Sequence, residues 1–229
     1  MALEGYSIGI QKLDEMIGPV PPGTNILIIG PPMCSKDSVI MRMATHAFLN
    51  EEALIFVNTN IPGEKLLELL RTVDGFDEER IGIVDCISRS LGVMTPETDI
   101  VQMASSPVDL TGIGVRISKY FEQFYMRKGI KKIRLIMDSL STILMYSNIK
   151  TVYRFLHVFT GRIRSADALG IFGIESGMHD EQTLSTLKQL FDGVIEFKLV
   201  EGEKEYIRAV GLTPKPTDWI TLDEEVGGD

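Results

Sequence analysis

The chain has 229 residues, of which 44% are hydrophobic and 24% charged, a composition typical of a globular protein. No segment approaches the roughly 18 uninterrupted apolar residues of a membrane span, and the N-terminus lacks the pattern of a signal peptide. The net charge of −9 argues against a broad basic face for nucleic acid. We therefore predict a cytoplasmic protein that spans no membrane and does not primarily bind nucleic acid.

The first half of the chain alternates apolar runs with segments of helical periodicity. Residues 25–30 form a continuous apolar run bounded by glycines, typical of a strand buried on both faces. The next segments predict, in order, a helix at 36–50, a strand at 53–57, a helix at 64–73 and a strand at 81–86.

Residues 88–112 differ from this pattern because Ser, Thr, Pro, Gly and Asp dominate and periodicity fades. We interpret this segment as a long loop beside the active edge of the fold, and as a candidate surface for a protein partner.

The second half resumes the alternation. The sequence predicts a helix at 113–128, a strand at 133–137, a helix at 148–168, a strand at 170–174 and a short helix at 184–191. Residues 193–199 and 205–210 predict a closing hairpin around 201–204, and the tail at 223–229 is expected to be disordered. One basic cluster spans the end of the helix at 113–128 and the start of the strand at 133–137, and we interpret it as a solvated helix end that runs into a strand: Arg127, Lys128, Lys131, Lys132 and Arg134.

Strands that alternate with helices of this length predict an α/β fold. We expect a mainly parallel, twisted sheet flanked by helices, with the C-terminal hairpin adding antiparallel strands at one edge. Because neither a repeat nor a linker interrupts the pattern, residues 5–222 are predicted to form a single domain.

The strongest chemical signal follows the first predicted strand. Gly30 and Lys36 have the spacing of the phosphate-binding loop G-x-x-x-x-G-K-[S/T], between a strand and a helix. Backbone N–H groups in such a loop point at phosphate oxygens, and the lysine adds a positive charge. The predicted nucleotide-binding residues are Gly30, Pro31, Pro32, Met33, Cys34, Ser35, Lys36, Asp37 and Ser38.

Two residues depart from the loop pattern. Ser35 replaces the second glycine, which costs roughly 1–2 kcal/mol if the loop needs a left-handed backbone there. Asp37 replaces the hydroxyl that normally holds magnesium, and its charge costs on the order of 3 kcal/mol at about 5 Å from a phosphate. Magnesium reverses that sign if Asp37 is itself a ligand.

Several further motifs, in order and spacing, resemble the KaiC-like branch of the RecA superfamily, of the archaeal type labelled RadA-like. They extend over residues 5–222 and comprise Leu13-Asp14 and Pro21-Pro22-Gly23 before the first strand, Asp138-Ser139-Leu140-Ser141, Glu175-Ser176, and Asp192-Gly193-Val194-Ile195.

The resemblance implies a RecA-like core that takes ATP or ADP with magnesium and assembles as hexamers. By this resemblance, Lys36 would contact the β- and γ-phosphates, and Asp138 would orient magnesium or its water. Asp37 departs from the family pattern and is a second candidate magnesium ligand only because carboxylates are hard oxygen ligands. Glu175 corresponds to the polar sensor that follows a later strand in the family, and it is the candidate catalytic residue.

Two departures from the family pattern concern catalysis. The family places a water-activating glutamate after its second strand, whereas this chain has Asn58-Thr59-Asn60-Ile61. An amide cannot act as a general base. The family also carries a Lys-x-Arg pair on a late strand, where this chain has Gly211-Leu212-Thr213 with Lys215 nearby. The missing pair also removes one reason to form a ring.

Four functions follow from these observations, of which DNA strand exchange is the weakest because no basic, aromatic-rich loop is visible. The first is a regulatory protein that binds ATP or ADP weakly, with hydrolysis lost or very slow. The second is a working ATPase of a ring assembly in which Glu175, Glu64 or Asp37 replaces the usual carboxylate. The third is an interaction module that binds no nucleotide and uses the loop at 88–112.

Overall fold

A computed structural model describes residues 5–93, 96–200 and 204–222. Within these residues, nine strands form one sheet and seven α-helices surround it. The helices are α1 (Gln11–Ile17), α2 (Lys36–Leu49), α3 (Gly63–Leu70), α4 (Leu110–Phe121), α5 (Leu140–Tyr146), α6 (Ile149–Ser165) and α7 (Glu181–Lys188). The strands are β1 (Asn25–Gly30), β2 (Ala53–Asn58), β3 (Ile81–Asp85), β4 (Val101–Met103), β5 (Ile133–Met137), β6 (Leu169–Glu175), β7 (Gly193–Val200), β8 (Lys204–Val210) and β9 (Ile220–Thr221).

The strand order is β4-β3-β2-β5-β6-β1-β7-β8-β9. In this order, the first seven strands, which run from β4 at one edge to β7, all pair in parallel. Strands β8 and β9 add antiparallel pairs at the other edge. The predicted α/β class, with its mainly parallel sheet and C-terminal antiparallel hairpin, is confirmed.

Helices cover both faces of this sheet. On one face, α1, α2 and α3 bury apolar side chains such as Leu13, Met43 and Leu66. On the other, α4 to α7 bury a second set that includes Ile117 and Leu156. Strands β1 and β2 are buried along their whole length, which explains why they are continuous apolar runs in the sequence.

The prediction of a long loop at 88–112 is wrong in part. This segment contains β4, and α4 begins at Leu110 rather than at residue 113; residues 94–95 lie outside the described residues. Three other elements were not predicted from the sequence: α1, α5 and β9. All four are short, with between two and seven residues, too few for periodicity to stand out from the surrounding composition.

The basic cluster is dispersed by its local contacts. Arg127 pairs with Glu122, Lys128 pairs with Glu79, and Arg134 is fully buried. The ammonium groups of Lys131 and Lys132 lie over aromatic rings. The residues therefore do not share one solvated helix end.

Two further predictions fall outside the described residues: the hairpin turn at 201–203 and the tail at 223–229. Among the described helices, none is both long and apolar enough to cross a membrane.

Candidate functional site

The predicted site residues meet at the carboxyl edge of the parallel strands. Gly30 ends β1, Asn58 ends β2, Asp138 directly follows β5, and Glu175 ends β6. The order β2-β5-β6-β1 places these four strands side by side. Ligands of open α/β sheets bind at this edge, so the topology brings the candidate residues together.

The loop between β1 and α2 is a compact turn. Cys34 N–H donates to Pro31 O over 3.4 Å, and its sulfur packs so close to Gly30 that a Cβ there would lie 2.7 Å from it. A larger residue at position 30 would therefore require the Cys34 side chain to shift. Burial raises the pKa of the Cys34 thiol, so this cysteine is not an activated thiolate. Pro32, within the turn, and Ser38, in the first turn of α2, are exposed.

The backbone strain in this loop lies at Met33 rather than at Ser35. Ser35 has φ −69°, an ordinary right-handed value, so the expected cost of replacing the second glycine does not arise. Met33 instead has φ 66°, in the left-handed region that favours glycine, and its side chain is 100% exposed. A strained residue with no packing partner points to a functional loop.

Lys36 is buried and is held by two carboxylates. Its Nζ lies 2.5 Å from Asp37 Oδ1 and 3.1 Å from Glu175 Oε1. Burial alone would lower the pKa of Lys36, but the hydrogen bond to Asp37 and the charge of Glu175 outweigh it and raise that pKa. Lys36 is therefore a permanent cation, and Asp37, whose side chain is 69% exposed, is the more easily displaced partner.

Glu175 links Lys36 to a short polar network. Ser139 Oγ donates to Glu175 Oε2 over 3.3 Å, and Glu175 N–H donates to Ser141 Oγ over 3.0 Å. His179 Nε2 lies 2.8 Å from the same Ser141 oxygen. Burial would raise the pKa of Glu175, but the Ser141 hydrogen bond and the Lys36 charge lower it, so Glu175 is an ionised partner of Lys36.

Asp138 is buried beside Thr59. Thr59 donates to its carboxylate from the backbone N–H, at 2.9 and 3.1 Å, and from Oγ1, at 2.8 Å. Burial nevertheless dominates and raises the pKa of Asp138 to about 6. Thr59 thus occupies the place where the resemblance expects a catalytic glutamate, and it binds the acid that would hold magnesium.

Sequence reasoning missed two acids near this edge. Asp85, at the end of β3, is buried and accepts from Gly63 N–H at 2.6 Å and from Ser88 N–H at 2.9 Å, so it anchors local backbone. Glu205, on β8, accepts from Ser35 N–H at 2.9 Å. Because Ser35 and Glu205 are 170 positions apart, only the pairing of β7 and β8 beside β1 reveals this contact.

The donor set fits a magnesium ion that arrives with a nucleotide. No cluster of three or more His, Cys, Asp or Glu suited to a metal occurs in the described part of the chain. However, Mg²⁺ is usually bound through one or two carboxylates plus substrate phosphates. Asp37 and Asp138 supply two such groups, and the charge of Asp37 contributes to the raised pKa of Asp138.

The segment after β8 contains Lys215, the cation nearest to the position where the family has its Lys-x-Arg pair. Lys215 lies in the exposed turn after β8, where its carbonyl accepts from Thr213 Oγ1 at 2.5 Å. Trp219 is half-exposed, and the Arg208 guanidinium lies 4.4 Å from its ring centroid. Trp219 therefore covers the cations of two strands, Lys198 and Arg208, at the sheet edge.

A family model described as a family of unknown function, DUF7504, matches residues 23–197. No curated protein matches the chain. The fold is similar to the uncharacterized protein PH0321 from Pyrococcus horikoshii, whose structure was solved in complex with an unknown peptide, with a TM-score of 0.70 and 17% identity over 95% of this chain and 99% of that chain. It is also similar to the KaiC-like protein PH0186 from Pyrococcus horikoshii OT3, with a TM-score of 0.62 and 18% identity over 96% of this chain and 91% of that chain.

These likenesses confirm the predicted fold but not the finer RadA-like assignment, which stays a prediction. The chain belongs to DUF7504, a family of unknown function, and it has a KaiC-like fold of the RecA type.

Proposed function

We propose that this protein binds ATP or ADP, as the magnesium complex, at the loop between β1 and α2, and that it hydrolyses ATP very slowly or not at all. The main support for this proposal is the buried ammonium of Lys36, which lies at the N-terminus of α2 and is held by Asp37 and Glu175. Such a cation at a helix N-terminus attracts phosphate.

The contacts of Lys36 support weak rather than tight binding. A buried charge requires partners, and here the protein supplies two carboxylates of its own. A phosphate must take the place of the exposed Asp37 or accept its repulsion. Magnesium reduces that repulsion because Asp37 and Asp138 are both hard oxygen ligands.

Residues 58–61, at and after the end of β2, carry no side chain that could activate water as the family's glutamate does. Asn58 uses its amide to bind Ile61 O and Asn60 N–H, and Thr59 donates to Asp138. Neither side chain can accept a proton as a general base does. Without a charged finger, phosphoryl transfer also loses a contribution of about three to five decades in rate.

A working ATPase that uses Glu175 is the alternative. Its support is the position of Glu175, in contact with Lys36 at the end of β6. Against it, the lowered pKa of Glu175 makes this carboxylate a weaker base. Glu64 lies in the first turn of α3, where no contact joins it to Lys36 or Asp138 among the described residues.

A second candidate is a protein-docking module that uses the strained tip of the loop. Met33 is a large apolar residue that is fully exposed and held in a left-handed conformation. PH0321, of similar fold, was crystallised with an unknown peptide. If nucleotide does not bind, the function that we propose instead is the binding of a peptide partner at this edge.

The test is isothermal titration of the wild-type protein with MgATP and MgADP, with phosphate release measured on the same samples. Lys36→Ala removes the cation of the loop, and Lys65→Ala is a matched control at an exposed lysine of α3. We expect saturable binding by the wild type and the control, none by Lys36→Ala, and no turnover above background. Turnover that depends on Lys36 would establish the ATPase, and equal binding by Lys36→Ala would contradict the proposed site.

A further inference from the structure

The hairpin formed by β7 and β8 places a carboxylate on the phosphate loop. Both carboxylate oxygens of Glu205 lie within hydrogen-bonding distance of Ser35 N–H, at 2.9 and 3.1 Å. Ser35 directly precedes α2, so this N–H is one of the donors that a phosphate-binding loop offers to its ligand. The protein's own carboxylate therefore occupies a place suited to a phosphate oxygen.

The backbone of Glu205 is fixed on both sides. It pairs with Leu199 of β7 in the antiparallel register, and its carbonyl accepts from Leu222 N–H over 2.9 Å. The contact thus depends on the side-chain rotamer, because the main chain lies between two neighbouring strands. The side chain is only half-buried, so it can rotate into solvent without unpairing the sheet.

The same arrangement occurs at Lys36, the second group of the loop that can donate to a phosphate. Carboxylates of the protein itself bind this group as well. Asp37 and Glu175 hold the ammonium, while Glu205 holds the backbone N–H. Of these three carboxylates, only Glu205 comes from the hairpin of β7 and β8. It is also the one whose removal leaves the buried Lys36 with both of its partners.

We propose that Glu205 is a specificity-determining residue that competes with phosphate for the loop. This inference rests on the proposed function. A nucleotide must displace the Glu205 carboxylate from Ser35 N–H before its phosphate can accept that hydrogen bond, and the displaced charge still opposes a phosphate nearby. The loop therefore selects ligands whose phosphate charge is partly neutralised by magnesium.

The experiment measures dissociation constants for MgATP and for inorganic tripolyphosphate, which has no base. Glu205→Gln keeps the size of the side chain and removes its charge. Glu15→Gln is the matched control, because Glu15 lines a cavity with Arg42 and His46, which lie about 9 and 15 Å along α2 from Lys36 at 1.5 Å per helical residue. Lys36→Ala reports whether binding uses the loop.

We expect Glu205→Gln to bind magnesium-free tripolyphosphate about tenfold more tightly than the wild type and MgATP more tightly by a smaller factor, and Glu15→Gln to bind as the wild type does. Wild-type binding that depends on Lys36 but does not tighten in Glu205→Gln would overturn this inference and leave the proposed function intact. Binding by none of the variants would overturn both.

A ligand-free readout tests the contact itself. In the ¹⁵N–¹H spectrum of the intact protein, the Ser35 amide is expected to move upfield in Glu205→Gln, because a neutral amide is a weaker acceptor than a carboxylate. The Ser35 amide should stay in place in Glu15→Gln. An unmoved Ser35 amide in Glu205→Gln would show that the contact does not form in solution, which would reject the competition.

Discussion

Thr59 donates two kinds of hydrogen bond, from its backbone N–H and from its hydroxyl, to the buried carboxylate of Asp138. This pair joins the ends of β2 and β5, which are neighbours in the sheet. The threonine stands where the family resemblance expects a water-activating glutamate, and it stabilises the acid beside it without supplying a base. This pair supports our proposal that the site binds nucleotide and hydrolyses it slowly or not at all.

In the metal-free protein, we compare the free energy of unfolding of Asp138→Asn with that of the wild type. The difference in favour of the variant should be larger at pH 7 than at pH 4. The folded-state pKa of about 6 lies above the unfolded value of about 3.9. A raised carboxyl pKa contributes stability below the unfolded value, and this stability is lost as the pH rises through the folded value. At about 1.4 kcal/mol per pKa unit, the gain at pH 7 is up to about 3 kcal/mol.

Urea unfolding at both pH values, in a chelating buffer, measures this difference. Other titrating groups are common to the two proteins, so they largely cancel when the variant is compared with the wild type. A stability difference that does not change between pH 4 and pH 7 would show that Asp138 titrates normally.

Two substitutions in the loop are expected to act in opposite directions. Met33→Gly should leave stability unchanged or raise it by about 1 kcal/mol, because it relieves a left-handed backbone and loses no buried contact. Ser35→Gly should lower stability by roughly 0.5–1 kcal/mol, because Ser35 has an ordinary φ. Thermal unfolding measures both, and the reverse order would place the strain at Ser35.

Asp37→Asn separates two roles of this carboxylate. Binding of metal-free ATP should tighten by about one to two orders of magnitude, since a repulsive charge next to Lys36 is removed. Binding of MgATP should tighten less, because a magnesium ligand is lost at the same time. Titrations with and without magnesium measure the two effects. An equal gain in both would mean that Asp37 does not hold the metal.

The buried ion pair between Arg134 and Glu52 should be a strong determinant of stability. Arg134 Nε lies 2.8 Å from Glu52 Oε2, and both side chains are almost completely buried. Arg134→Met leaves Glu52 unpaired and is expected to cost about 3–5 kcal/mol. The exposed pair of Arg71 and Glu78 is the matched control, where Arg71→Met should cost less than about 1 kcal/mol. Similar losses for both variants, measured by urea unfolding, would contradict this expectation.

Much of the fold could be predicted because its central strands are buried on both faces. β1 and β5 were predicted with the bounds that the structure shows, since a short, uninterrupted apolar run between turn residues is typical of a buried strand. β4 has only three residues, and α5 only seven. Elements of that length depend on tertiary contacts that local periodicity does not record.

The candidate site was less accessible to sequence analysis. The spacing of Gly30 and Lys36 identified the loop, and the parallel topology then explains why Asp138 and Glu175 lie beside it. The sequence alone could not place Glu205, because strand pairing brings it to Ser35. It also could not show that the strained residue is Met33, since nothing in the residue type marks a left-handed methionine.

The most direct test of nucleotide binding is the thermal unfolding midpoint with and without millimolar MgATP, for the wild type, Lys36→Ala and the control Lys65→Ala. A ligand at about a hundred times its Kd stabilises by roughly 2.7 kcal/mol, which corresponds to a few degrees for a chain of this size. The comparison uses the shift within each protein, because Lys36→Ala also leaves Glu175 unpaired. We predict an upward shift in the wild type and the control that is absent in Lys36→Ala; no shift in the wild type, or an equal shift in Lys36→Ala, would contradict the proposed function.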